Sequence, residues 1–252
     1  VADTSVKDIE CDDLKNILEL FIEHGLEKGC VIAGRPGVRK SSVLMNFVKA
    51  ELDRRDLSYA CATTSNKAVL RIKVMDEYDT NCFDQATTLE SLLMWHGGET
   101  ENQYWERLLS YDYLIVDEYT MSNYGYMMTI YEIWRRNAGK TKIIMCGDEN
   151  QLKSVDPIYG TMMYMGMPFF HEMTNNKIIR LTKSYRMNEA LNEVVNDIID
   201  NDRINMKHFK RSNGDIKSRN ICYTNQTRRN VNTVCMDHFA ELNTKMGKPV
   251  LT

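Results

Sequence analysis

The sequence lacks the features that mark membrane or secreted proteins. No apolar run is long enough to cross a membrane, and the acidic first residues have no signal-peptide pattern. The seven cysteines are scattered, with no closely spaced pair, which is typical of a reduced protein rather than a disulfide-linked one. We therefore expect a protein without membrane contact in a reducing compartment, either the cytoplasm or the nucleus.

The sequence also lacks a linker rich in proline, glycine or serine, and only 4 of its 252 residues are proline. Domain boundaries must therefore be inferred from the order of predicted elements. Positive charge is not in excess, because the net charge is -3. This value argues against a wholly basic nucleic-acid coat but is compatible with a local basic groove. Residues 203–230 contain eight basic side chains and one acid, which fits either backbone binding or a solvated loop.

Short apolar segments alternate with amphipathic ones along the first three quarters of the chain. This alternation predicts an α/β fold in which helices cover both faces of a parallel sheet. After Arg186 the pattern restarts, with a predicted strand at 220–223 and a helix at 228–242. The other predicted strands are 30–33, 57–63, 114–116, 143–146 and 178–181, and the other predicted helices are 12–27, 41–53, 66–78 and 189–201.

The segment from Gly34 to Ser41, GRPGVRKS, joins the first of these strands to a helix. A loop at this position presents backbone N–H groups to an anion, which is the basis of phosphate-binding loops. Lys40 is placed to meet the β and γ phosphates of ATP, and Ser41 is placed to ligate Mg²⁺. The predicted nucleotide-binding residues of this segment are Gly34, Gly37, Arg39, Lys40, Ser41 and Ser42.

Arg39 is the one departure from the phosphate-loop pattern G-x-x-x-x-G-K-[ST]. It occupies the position of the second glycine, which normally lets the backbone approach the phosphates without a Cβ. Its side chain either obstructs the phosphates or adds a positive charge to their site. An ordinary strand-to-helix turn with exposed basic residues is the alternative interpretation of the whole segment.

Acidic and amide side chains follow two later strands of the predicted sheet. Asp117 and Glu118 come directly after the apolar residues 114–116, and Gln151 lies four residues after Gly147 at the end of the next strand. The carboxyl ends of parallel strands form the crevice where α/β proteins bind ligands. We expect Asp117 to hold Mg²⁺, directly or through water, and Glu118 to activate the attacking water. Gln151 is expected to contact the γ-phosphate or that water.

The order of these three motifs resembles that of superfamily-one nucleic-acid helicases, and the resemblance covers most of the chain. Residues 63–68, 86–93, 181–186 and 221–228 also resemble helicase segments in the expected order. The resemblance implies a RecA-like P-loop ATPase domain at 1–185 and the start of a second, incomplete RecA-like domain at 186–252. The sequences of the later segments are similar to those of the RecD-type branch, including enzymes of large DNA viruses and phages, and also to helicases of plus-strand RNA viruses.

The resemblance implies roles for residues outside the phosphate loop. Arg186 corresponds to the arginine that contacts the γ-phosphate, so that Lys40, Glu118, Gln151 and Arg186 form the expected catalytic set. Trp95 and His96 are candidates for stacking on bases, with a core position as the alternative. The expected nucleic-acid contacts are Thr64, Asn66, Lys67, Thr87, Thr88, Tyr223, Thr224 and Asn225.

These observations predict a motor that hydrolyses ATP with Mg²⁺ and moves on single-stranded nucleic acid, with DNA favoured over RNA. Its implied partners are that strand and the rest of a larger helicase or replication complex, and the resemblance to viral enzymes is compatible with a virus-infected cell. Two alternatives remain open. One is removal of the terminal phosphate of RNA at the same site, and the other is a degenerate phosphate loop that binds nucleic acid or a partner without turnover.

Overall fold

The computed structural model describes residues 6–75, 86–185 and 189–201. The predicted second RecA-like domain lies outside these residues, apart from its first helix. Among the described residues, no helix has the length and apolar character needed to span a membrane.

A seven-stranded, wholly parallel sheet forms the centre of the fold. The strands are β1 Lys7–Cys11, β2 Cys30–Gly34, β3 Tyr59–Thr63, β4 Thr87–Thr88, β5 Tyr113–Asp117, β6 Lys142–Gly147, β7 Val155–Asp156, β8 Gly160–Thr161 and β9 Lys177–Leu181. The strand order of the sheet is β1-β9-β2-β6-β5-β3-β4, and because its neighbours are parallel, no two of them are joined by a tight hairpin. A separate antiparallel hairpin consists of β7 and β8.

Nine α-helices lie among the described residues. The helical segment after β2 contains α2 (Lys40–Val43), a π-helical turn at Leu44–Lys49 and α3 (Ala50–Arg54) in direct succession. Short 3₁₀ turns occur at Tyr119–Met121 and Tyr164–Gly166. The helices are α1 Ile17–His24, α2 Lys40–Val43, α3 Ala50–Arg54, α4 Asn66–Met75, α5 Leu89–Leu93, α6 Glu101–Leu109, α7 Tyr124–Arg136, α8 Pro168–Met173 and α9 Glu189–Asn201.

Two apolar layers sandwich the sheet, because successive residues of a strand point to opposite faces. In β2, Cys30 and Ile32 belong to one layer, whereas Val31 and Ala33 belong to the other. Helices α1 to α4 contribute to the first layer, and helices α5 to α8 contribute to the second. Both faces of β2, β5 and β6 are therefore buried, which explains why these strands are continuous apolar runs.

The predicted parallel sheet with helices on both faces is confirmed, whereas several elements differ. The strands β4, β7 and β8 and the helices α5 to α8 were not predicted, and β3 begins at Tyr59 instead of Leu57. The strand β1 was not predicted, and it pairs with β9 at the edge of the sheet. The helix predicted at 12–27 is shorter and ends at His24, where the backbone N–H of Gly25 bonds to Phe21 O. The helix predicted at 41–53 begins at Lys40 and contains the π-helical turn.

Gly147, at the end of β6, lies against the aromatic ring of Tyr119. A Cβ at this glycine would be 2.7 Å from the Tyr119 Cδ1 and Cε1 atoms. The ring has no room to move, because Tyr119 is 1% exposed and packs on Phe170 with the ring centroids 4.9 Å apart. Glycine is thus required here by close packing, and it fixes how β6 meets the turn after β5.

We predict that Gly147→Ala lowers the free energy of unfolding by about 1–3 kcal/mol, the usual cost of overpacking a core. Urea unfolding followed by circular dichroism measures this change. Gly97→Ala is the matched control, because nothing lies within 4 Å of a Cβ built at Gly97. Equal unfolding midpoints for the two variants would contradict the packing argument.

Candidate nucleotide-binding site

The three predicted motifs meet at one edge of the sheet. The strands β2, β6 and β5 are adjacent and parallel, so their carboxyl ends lie side by side. The loop after β2, the turn after β5 and the turn after β6 therefore surround a common cleft. The residues lining it are Pro36, Gly37, Arg39, Lys40, Ser41, Ser42, Asp117, Glu118, Gly147, Asp148 and Gln151.

Lys40 folds back over the loop that precedes it. Its Nζ donates hydrogen bonds to the backbone oxygens of Gly34 at 2.7 Å and Arg35 at 3.2 Å. The same Nζ lies 4.0 Å from Oδ2 of Asp148, whose side chain is almost fully buried. Lys40 is thus held above the centre of the loop by two carbonyl groups and one carboxylate.

Ser41 and Asp117 connect the loop to the end of β5. The Ser41 hydroxyl donates a hydrogen bond of 3.0 Å to Oδ2 of Asp117, and Oδ1 of Asp117 accepts one of 3.0 Å from the Glu118 backbone N–H. Asp117 is 1% exposed, so its carboxylate is oriented before any ligand arrives. The two predicted Mg²⁺ ligands are therefore adjacent.

Asp148 organises the turn that contains Gln151. Its carboxylate accepts hydrogen bonds from the Asn150 backbone N–H at 3.0 Å and from Nε2 of Gln151 at 3.3 Å. Asp148 is 2% exposed and contacts Lys40 as well, so it links the phosphate loop to the Gln151 turn. The sequence motif contained Asp148, but its contact with Lys40 depends on the fold and was not predicted.

Two non-glycine residues of the cleft have a left-handed backbone. Arg39 has φ 66° and ψ 35°, and Glu118 has φ 58° and ψ 42°. A residue with a Cβ in this region costs about 1–3 kcal/mol and persists only where the surroundings impose it. The glycine expected at residue 39 would adopt this conformation without that cost. The loop therefore keeps the backbone shape that its missing glycine would have.

Arg35 connects the phosphate loop to α9. Its guanidinium donates a hydrogen bond of 2.5 Å to Oδ1 of Asn196 and forms a two-pronged contact with the carboxylate of Asp200. A cavity of about 370 Å³ lies between this contact and the ends of β1, β2 and β9. The cavity is lined by both Arg35 and Asp148, so it adjoins the cleft. The role of Arg35 was not predicted.

The predicted nucleic-acid contacts that the structure describes lie on the other side of β5. Thr64 follows β3, Asn66 and Lys67 are exposed at the start of α4, and Thr87 and Thr88 form β4. Thr88 also has a structural role, because its hydroxyl accepts a hydrogen bond of 3.1 Å from Ser91 N at the start of α5. These residues are grouped near the carboxyl ends of β3 and β4.

Four predicted site residues lie outside the described residues, namely Arg186, Tyr223, Thr224 and Asn225. Trp95 is described and is 49% exposed, so the alternative of a core position is wrong. Its ring stacks on Tyr104 with centroids 4.9 Å apart, and its indole N–H donates to Glu99 O at 2.8 Å.

The model of a protein family described as an AAA domain matches residues 21–157, which is more than half of the chain. The chain belongs to this family. The matched residues of the AAA domain include the phosphate loop, the Asp117–Glu118 pair and Gln151. No curated protein matches the chain.

Solved structures of Pif1 helicases share the fold of this AAA domain. Bacteroides Pif1 bound to single-stranded DNA aligns with a TM-score of 0.60 and 18% identity over 88% of this chain and 55% of that one. Bacteroides sp Pif1 in complex with ADP-AlF4 aligns with a TM-score of 0.58 and 18% identity over 88% of this chain and 56% of that one. Pif1 helicase from Candida albicans aligns with a TM-score of 0.56 and 17% identity over 73% of this chain and 43% of that one. The chain thus spans about half of their length.

These matches confirm the predicted RecA-like fold and, at the level of the fold, the predicted resemblance to superfamily-one helicases. The RecD-like or viral branch stays a prediction. The roles of the individual residues in the cleft are likewise predictions, although the fold places the described ones together.

Two buried thiols, Cys61 and Cys146, lie in the core close to Asp117. Cys146 and Cys61 lie on the two strands that flank β5. In the register of the sheet, Cys146 pairs with Asp117 and Cys61 pairs with Ile115. Burial raises the pKa of both thiols, and the nearby Asp117 carboxylate raises each of them further. Because the thiolate is the reactive form, both cysteines are expected to be inert in the folded protein.

We predict that Cys146 and Cys61 resist iodoacetamide at pH 8 in the folded AAA domain and react readily in denaturant. The rate in the folded state should be at least about a hundredfold lower, because each unit of raised pKa removes tenfold of the thiolate. Quenched labelling and peptide mass spectrometry measure both sites. Rapid native labelling of Cys146 would show that solvent reaches the core beside Asp117.

Proposed function

We propose that the chain is the first RecA-like domain of an ATP-hydrolysing motor that acts on single-stranded nucleic acid. The observation that supports this most directly is the convergence of Lys40, the Ser41–Asp117 pair, Glu118 and Gln151 on one cleft. This arrangement occurs at the carboxyl ends of parallel strands, in a fold shared with Pif1 helicases.

The phosphate loop would bind the β and γ phosphates of ATP. Lys40 now donates to the backbone oxygens of Gly34 and Arg35, so its ammonium group already points over the loop. A phosphate oxygen is a stronger acceptor than a carbonyl because it is charged. We infer that Lys40 exchanges these carbonyls for phosphate oxygens and thereby neutralises charge that develops during hydrolysis.

The residues at the Mg²⁺ position fit that ion. Magnesium prefers hard oxygen ligands and is commonly bound through one or two carboxylates together with substrate phosphates. The Ser41 hydroxyl and the buried Asp117 carboxylate supply oxygens of this kind, and they are 3.0 Å apart. When bound, Mg²⁺ would neutralise negative charge on the β and γ phosphates.

Glu118 and Gln151 would handle the attacking water. Both line the cleft with Lys40 and Asp117, and the left-handed backbone of Glu118 turns the chain sharply directly after Asp117. Glu118 would accept the proton of the water, and Gln151 would orient it through its amide. Asp148 is a further positioning residue, because it holds both Gln151 and Lys40.

The nucleic-acid part of the proposal uses a separate set of residues. Bacteroides Pif1 has been solved bound to single-stranded DNA. In this chain, Asn66 and Lys67 are exposed beside β3, two strands away from β6 and its turn. We infer that a single strand of nucleic acid crosses the ends of β3 and β4. Arg186, Tyr223, Thr224 and Asn225 lie outside the described residues and keep the roles that the sequence predicts for them.

A binding module without turnover is the second candidate, and Arg39 favours it. The residue that replaces the glycine has a strained backbone, and a side chain at this point can hinder the approach of phosphates. This candidate requires nucleotide hydrolysis to be absent, whereas the motor requires it to be present. Hydrolysis therefore separates the two.

We predict that the chain, joined to the rest of its helicase where needed, hydrolyses ATP and that single-stranded DNA or RNA stimulates the rate. Lys40→Ala and Glu118→Gln should each lower the stimulated rate by about 100-fold or more, the typical loss of a charge-stabilising group or a general base. A coupled phosphate-release assay measures these rates.

Glu106→Gln is the matched control for Glu118→Gln, because Glu106 is an exposed glutamate on α6 that does not line the cleft. It should keep the full rate. Wild-type turnover that neither Lys40→Ala nor Glu118→Gln reduces would place the chemistry elsewhere. No turnover with any polymer would favour the binding module.

We predict that Asp117→Asn weakens nucleotide binding only when Mg²⁺ is present. The loss of the carboxylate removes an ion ligand but leaves Lys40 and the loop in place. A fluorescent ADP analogue is titrated in Mg²⁺ and in EDTA. In Mg²⁺ the Kd of the variant should be at least about tenfold higher than that of the wild type, because one metal–ligand contact is missing. In EDTA the two Kd values should be equal. An equal loss under both conditions would mean that Asp117 supports the loop and does not hold the ion.

A further inference from the structure

The residue that replaces the glycine of the phosphate loop is held by an aromatic ring. The Arg39 guanidinium carbon lies 5.2 Å from the centroid of the Tyr185 ring, which is within the range of a cation–π contact. The Tyr185 backbone N–H donates a hydrogen bond of 3.0 Å to the Gly37 carbonyl, so the backbone that carries the ring is attached to the loop. Arg39 and Tyr185 therefore form one local unit.

The Arg39 guanidinium has no carboxylate partner among the residues that the structure describes. It is exposed, and its only described contact is the face of the Tyr185 ring. A cation–π contact at an exposed site is weak compared with a charge-assisted hydrogen bond to a phosphate. The contact involves the face of the guanidinium, so the N–H groups at its edge can donate to a phosphate while the face stays on the ring.

The charge of the cleft favours an additional cation when a nucleotide is bound. Among the lining residues, Asp117, Glu118 and Asp148 are acidic, whereas Lys40 and Arg39 are basic. A nucleoside triphosphate adds further negative charge to this set. Arg39 directly precedes Lys40, so its long side chain starts from the backbone that would surround the phosphates.

We propose that Arg39 is an additional phosphate-binding residue of this chain and that Tyr185 is its positioning residue. The ring keeps the guanidinium at the edge of the cleft, and the guanidinium N–H groups donate to a bound nucleoside di- or triphosphate without leaving the ring. This inference rests on the proposed function, since it requires the cleft to bind nucleotides. The inference gives a reason for an arginine at residue 39, where a glycine would adopt the same backbone without strain.

The test compares Arg39 variants by titration with fluorescent ADP and ATP analogues at several salt concentrations. Arg39→Asn removes the charge with a residue that tolerates the left-handed backbone, and Arg39→Gly restores the usual residue. Both should bind nucleotide about tenfold more weakly, the loss expected for one charge-assisted hydrogen bond, with a flatter salt dependence. Arg39→Lys should lose less, because it keeps the charge.

Tyr185 variants test the positioning role. Tyr185→Phe keeps the aromatic face and should bind like the wild type, whereas Tyr185→Leu should bind several-fold more weakly. The ring current of Tyr185 should also shift the NMR signal of the Arg39 Nε–H group. In the wild type this signal should move when nucleotide is added, and in Tyr185→Leu the nucleotide-free signal should already lack the ring's effect.

Three outcomes separate this inference from the proposed function. Wild-type binding that Lys40→Ala abolishes and Arg39→Asn leaves unchanged overturns only the role of Arg39. Tighter binding by Arg39→Gly shows that Arg39 obstructs the phosphates, which also overturns it. A wild-type chain that binds neither analogue overturns both proposals. Thermal melting of each variant confirms that the fold is intact.

Discussion

The adjacency of β2, β6 and β5 is the constraint on which the candidate site depends. Each strand ends in a different motif, and parallel pairing in consecutive positions brings the three ends to one edge. The register places Asp117 level with Cys146 and Thr63, so the acidic turn projects just beyond the buried part of the sheet. A different strand order would separate Lys40 from Asp117 and dismantle the cleft.

The central strands and the motifs could be predicted because their signals are local. Strands that are buried on both faces must be continuous apolar runs, and β2, β5 and β6 each have that pattern. The polar residues Asp117, Glu118 and Gln151 follow such runs directly, so their positions at the edge of the sheet follow from the strand ends alone. The helix α9 was predicted with its observed bounds, because its amphipathic spacing is regular.

The parts that could not be predicted depend on contacts distant in sequence. The strand β1 is mostly exposed and rich in charged residues, and within the described part of the chain it pairs only with β9, far along the sequence. The bonds from Arg35 to Asn196 and Asp200, and the ring contact between Arg39 and Tyr185, likewise join residues more than a hundred positions apart. Neither composition nor periodicity contains information about such pairs.

The strained residues of the cleft show that the surrounding fold, and not local preference, sets its backbone. Arg39 and Glu118 both have left-handed backbones next to the residues that matter most, Lys40 and Asp117. At Glu118 the turn is held by the hydrogen bond to Oδ1 of Asp117, and near Arg39 it is held by the bond from Tyr185 to Gly37. Because strain of this kind needs support from its neighbours, these bonds are part of the site. An arginine at this point of the loop thus exchanges an unstrained backbone for a charged side chain at the edge of the cleft, and under the proposed function that side chain would lie beside the phosphates of the nucleotide.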